Sequence, residues 1–182
     1  MGLIKTEKCA KAGDIDAMVD LAQYYEDDDY NDNAPALTMY YYKKAADANH
    51  PFAQFMLGFY YSAGWYGCGP GDFKDLDQAF KYYNLSAKNG YAEAMLHLSE
   101  MYRDGIGVER DGVYAYYWRD KALAMNCKEA LFNMGIRHRH GIGVKVNKKR
   151  AAEWFELSAR QGHAGAEKNL NSLLIESFCE AA

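Results

Sequence analysis

No run in this sequence approaches the eighteen or so consecutive apolar residues that a membrane-spanning helix needs. The first residues, Met1-Gly2-Leu3-Ile4-Lys5-Thr6-Glu7-Lys8, lack the apolar core of a secretory signal, so a soluble, cytoplasmic protein is expected. Met1-Gly2 with Thr6 fits the loose myristoylation pattern, but the same residues read as an ordinary helix start. Positive charge is not in excess: 21 Lys and Arg stand against 25 Asp and Glu, for a net charge of -4. Such a chain has no general attraction to phosphate backbones or anionic bilayers, and neither a nucleic-acid nor a membrane partner is expected. Cysteine is scarce as well. Cys9, Cys68, Cys127 and Cys179 lie 59, 59 and 52 residues apart, with no CxxC and no histidine pair of zinc-finger spacing, so free thiols are expected.

Catalytic signatures are missing too. There is no GxSxG elbow, Walker loop, HExxH or GxGxxG, so no catalytic residue, cofactor, metal or small-molecule substrate is expected. Gly105-x-Gly107 and Gly141-x-Gly143 follow no strand and carry no third glycine, and read as turns. His138 and His140 stand two residues apart, about 200° around a helix, and cannot share one ligand sphere on regular helix. The acidic run Glu26-Asp27-Asp28-Asp29 with Asp32 lacks the spacing of a calcium loop and reads as a solvated acidic turn.

What is present is an internal repeat. Small residues at Ala17, Ala53, Ala94 and Ala130 each precede a Leu or Met four places on and, at the eighth, Tyr25, Tyr61, Tyr102 and His138. Ala166 with Leu170 begins a fifth, shorter copy. A second register runs through Thr38, Ala79, Ala115 and Ala151, with Tyr41, Tyr82, Trp118 and Trp154 three places later. Offsets of three, four, seven and eight are helical, so each repeat is a pair of helices. The steps between leading alanines are 36, 41, 36 and 36, and the long one is absorbed by the loop holding Trp65 to Gly71.

The punctuation shares this period. Asp75, Asp111 and Asn147 stand where a helix N-cap is needed. Gly13, Asn49, Gly90, Asn126 and Gly162 close each second helix with residues able to enter the left-handed region.

The alanine-led first helix, the Gly-x-Gly-Val turn of Gly105 to Val108 and Gly141 to Val144, and the Ala-x-x-Trp of Ala115 to Trp118 and Ala151 to Trp154 resemble the Sel-one-like repeat family. These repeats are relatives of the tetratricopeptide repeat. Repeat one departs from the pattern, with the acidic run in place of the glycine turn and Thr38 for alanine. The resemblance implies an all-α, right-handed α/α superhelical solenoid of about four helix-hairpin repeats with terminal half-repeats. The expected division is one solenoid over 1–182: a half-repeat 1–13, repeats 14–49, 50–90, 91–126 and 127–162, and a capping helix 163–182.

The resemblance also implies a non-enzymatic scaffold or adaptor that binds a protein or peptide partner on a concave face lined by first helices. The places three, six and seven beyond each leading alanine are expected there: Asp20, Gln23, Tyr24; Met56, Phe59, Tyr60; His97, Glu100, Met101; Asn133, Ile136, Arg137. Off-register aromatic residues, including Tyr66 and Tyr116, add candidate anchors. The family also suggests two alternatives: an immunity protein that blocks a cognate toxin, and a hydrolase with its active site in the groove.

Overall fold

Every repeated apolar place lies on a helix. The computed structural model describes residues 3–28, 30–64 and 74–180, with side chains through 176, and among them finds ten helices and no strand. They are α1 (Leu3–Lys11), α2 (Ile15–Glu26), α3 (Ala34–Asp47), α4 (Pro51–Ala63), α5 (Leu76–Lys88), α6 (Ala92–Asp104), α7 (Gly112–Ala124), α8 (Lys128–His140), α9 (Lys148–Ala159) and α10 (Ala164–Glu180). The Trp65 to Gly71 loop, with Cys68 and Tyr66, lies outside the described residues. The chain forms two compact units, Met1–Trp118 and Arg119–Ala182, whose boundary falls within α7. In the first, α2 pairs with α3 and α4 with α5; in the second, α8 pairs with α9, and α10 packs on α9.

The helix ends are fixed by side chains and turns. Asp75 Oδ1 accepts from the Gln78 amide at 2.9 Å, Asp111 Oδ1 from Val113 and Tyr114 at 2.8 and 3.1 Å, and Asn147 Oδ1 from Arg150 at 2.9 Å. These bonds satisfy orphan amides of the first turn, as expected of those residues. The first helices have caps that the sequence reading did not single out. Asp14 Oδ1 accepts from Ala17, while His50 Nδ1 and His163 Nδ1 accept from Ala53 and Ala166 at 3.3 and 3.1 Å. Gly13, Asn49, Gly90, Asn126 and Gly162 all have φ between 57° and 96°. At Gly107, with φ 66°, a side chain is excluded twice over: by the left-handed backbone and by the Leu76 carbonyl lying where a Cβ would stand.

The core repeats one contact. Four places beyond the small residue that leads a second helix stand Tyr42, Tyr83 and Phe155, among the largest fully buried side chains described. Tyr83 lies against Gly58, 2.7 Å from where its Cβ would be, and Phe155 lies likewise on Gly135 at 2.5 Å. A ring on one helix thus fills the space that a missing side chain leaves on the other, which is how close helix packing keeps interior density. The rings one place earlier, Tyr41, Tyr82 and Trp154, are only half-buried; Trp118 is the buried one at 7% exposure.

Serine and glutamine side chains in the core are bonded. The Ser86 and Ser158 hydroxyls donate to the Pro51 and Lys128 carbonyls, each at 2.7 Å. Gln54, 1% exposed, donates to the Ala46 carbonyl and accepts from the Asn89 amide at 2.8 Å.

Candidate partner-binding surface

Helix geometry sets how exposed each of the twelve expected surface residues is. On α2, Asp20, Gln23 and Tyr24 are all exposed, Tyr24 by 47%. On α4, Phe59 is 45% exposed and Met56 half-buried; on α6, Glu100 is exposed and His97 half-buried. In the second unit Asn133 is exposed, while Ile136 and Arg137 are half-buried, Ile136 against the cluster around Phe155 and Arg137 donating from Nε to the Ile142 carbonyl at 3.1 Å.

Two of the twelve are corrections. Tyr60 is 3% exposed, its ring 5.9 Å from that of Tyr42, and Met101 is 5% exposed with its methyl against Gly107. Neither offers surface to a partner. Place seven turns inward in repeats two and three, where Tyr60 meets the Tyr42 ring of the preceding second helix and Met101 meets Gly107. Place seven of repeat one, Tyr24, stays open.

The open ring belongs to a larger array. Tyr24 meets Tyr25 edge-on at 5.4 Å, Tyr25 stacks on Tyr41 at 5.9 Å, and Tyr40, 52% exposed, meets Tyr41 edge-on at 5.1 Å. Tyr61 stacks on Tyr82 at 5.5 Å, and Tyr102 on Tyr114 at 5.2 Å. Tyr116, at 55% exposure, is also open.

Electrostatics separate structural groups from available ones. His97 stacks on Tyr83 at 4.8 Å, and burial holds its imidazole below the usual range against the pull of Glu100 and Glu93. It is a neutral packing ring. Burial raises the Tyr60 and Tyr42 hydroxyls above the usual range; Tyr42 also donates to Glu26 at 3.2 Å. Burial pushes the Cys127 thiol up to about 11, a protonated and unreactive form at neutral pH. Cys9 and Cys127 are free, as expected; Cys68 and the Cys179 side chain lie outside the described residues. His138 is buried at 8% exposure, the packed ring its register implies.

The two units differ in charge, a signal carried by the sequence but hidden in its net value. Residues 1–118 hold 18 acidic and 10 basic side chains; residues 119–182 hold 7 and 11. Among the described residues no helix is long and apolar enough to cross a membrane.

Paired antiparallel helices, a small-residue seam filled by a ring, and turn glycines on one period define an α-solenoid protein. The family model of the Sel1 repeat matches residues 15–50, 51–91, 92–127 and 128–163, and the chain belongs to that family. It is 30% identical to chitin synthase regulatory factor 3 of Schizosaccharomyces pombe over 90% of this chain and 18% of that protein. Against the chitin synthase regulator SKT5 of Saccharomyces cerevisiae it is 32% identical over 78% of this chain and 20% of that one. The chain thus spans about a fifth of the length of these relatives. Among solved structures, a Sel1 repeat protein from Oxalobacter formigenes superposes with a TM-score of 0.76 at 30% identity, covering 94% of this chain and 48% of that one.

Proposed function

We propose that the chain is a non-catalytic adaptor that binds a protein or peptide through the open residues of its first helices, chiefly Tyr24 and Phe59, with Asp20, Gln23 and Glu100 beside them in the first unit. The observation that carries this is the 47% and 45% exposure of two large aromatic side chains at places six and seven. Fold stability gains little from rings left that open, whereas rigid aromatic anchors with few rotamers suit an interface. The relatives support the reading, since they are named as regulators of another protein.

The test is a pull-down with wild type beside a Tyr24→Ala/Phe59→Ala double variant. Truncating exposed rings should leave the melting temperature nearly unchanged and weaken a bound partner by about 1 kcal/mol or more at each hot spot. A partner retained equally by both proteins would overturn the assignment of this face.

A further inference from the structure

The densest group of basic side chains lies on the second unit. Residues 137–150, Arg-His-Arg-His-Gly-Ile-Gly-Val-Lys-Val-Asn-Lys-Lys-Arg, hold six Lys and Arg and no carboxylate. Two of the six are committed to α10. Arg139 donates to Asn169, Ser172 and Glu176, the last at 2.6 Å, and Lys148 reaches Glu176 at 3.4 Å. Arg137 lies over the turn and bonds the Ile142 carbonyl. Lys145, Lys149 and Arg150 are exposed, and their side chains form no ion pair or hydrogen bond among the described residues. Between them stand two exposed apolar side chains, Ile142 at 53% and Val146 at 55%. Asn147 caps α9 here and Gly141 closes α8 in the left-handed region, so the cations and the apolar pair are held on a defined turn.

The equivalent turn of repeat three keeps the apolar residue, Ile106, but carries Glu109, Arg110 and Asp111. Basic character is therefore particular to repeat four and is not required by the turn.

We infer that the α8–α9 turn is a docking surface for an acidic segment of a partner protein, one with an apolar residue among its carboxylates. Charge complementarity supplies the acidic requirement, and Ile142 and Val146 supply the apolar one. The size of the charges argues for a short segment. Exposed charges are screened beyond about 8 Å at physiological salt, so a short acidic peptide feels the turn alone. A bilayer or nucleic acid, far larger than the turn, answers to the charge of the whole chain, which is -4. This inference takes from the adaptor reading only that the partner is a protein, and it uses a different surface.

Fluorescence anisotropy with the whole chain tests it, using a labelled peptide of glutamates and aspartates with two leucines, and its Gln/Asn counterpart. The acidic peptide should bind, the neutral one should not, and binding should weaken as salt rises. Lys145→Glu/Lys149→Glu/Arg150→Glu should weaken binding at least about tenfold, with an unchanged circular dichroism spectrum. Ile142→Ser/Val146→Ser should weaken it for the leucine-containing peptide and leave an all-acidic peptide unaffected. Tyr24→Ala/Phe59→Ala should bind like wild type, so that failure of the first-helix face and failure of this turn are read separately. Equal binding by the charge-reversed variant overturns the inference. So does charge-dependent binding to phosphatidylserine vesicles as strong as to the peptide, which would assign the turn to a membrane. Salt-sensitive self-association in sedimentation, lost in the charge-reversed variant, would assign it to a second copy.

Discussion

Tyr83 and Phe155 lie against glycines, and this contact sets the cost of losing either ring. Tyr83→Ala or Phe155→Ala should destabilise the fold by about 3–5 kcal/mol in urea unfolding, since a buried aromatic leaves a cavity beside a residue with no side chain to fill it. Tyr61→Ala should cost less, about 1–2 kcal/mol, because its half-buried ring loses mainly its stack on Tyr82. Tyr60→Ala belongs with the first group. The sequence could not rank these rings: Tyr41 with Tyr42 and Tyr82 with Tyr83 are adjacent aromatics about 100° apart on a helix, and periodicity admits either as the inward one. His97 makes a prediction of the opposite kind. Its folded form resists protonation, while the unfolded chain titrates near 6.5, so below that pH the unfolded state binds the extra proton. Stability should fall as pH drops from about 6.5 toward the folded value, and His97→Gln should flatten that part of the pH–stability curve.

At the scale of the element, helix boundaries were legible because three signals agreed: apolar period, capping side chains and turn residues. The ten helices among the described residues fit about four helix hairpins with terminal half-repeats, and every residue expected in the left-handed region is there. Asp75→Ala should raise the free energy of the folded state by about 1 kcal/mol, checked by the shift in urea midpoint, since the Gln78 amide loses its acceptor. The histidine caps were missed because imidazole is seldom counted among capping groups, although His50 and His163 stand on the same 36-residue period as Asp14 and Cys127 once the loop insertion is allowed for. The first-helix surface was only partly legible. Tyr60 turns inward onto Tyr42 of α3 and Met101 onto Gly107 of the following turn, and such contacts are properties of two elements at once.

For the molecule as a whole, the net charge of -4 concealed a division into an acidic and a basic unit, and a partner inferred from the average would meet neither. The matched repeats also differ in how self-contained they are. The ring-on-glycine pairs Gly58 with Tyr83 and Gly135 with Phe155, and the Ser86 and Ser158 bonds, all close within one matched repeat. These contacts therefore travel with a single repeat, as suits solenoids that lengthen or shorten by whole units. The Gln54 clasp does not obey that rule. Its donated bond ends on the Ala46 carbonyl of the repeat before it, so exchanging repeat 51–91 for a copy of 128–163 would put Leu131 where Gln54 stands and leave that carbonyl seeking another partner. Any exchanged unit must also meet what its neighbours present, as Tyr60 meets Tyr42, His97 meets Tyr83 and Gly107 meets the Leu76 carbonyl.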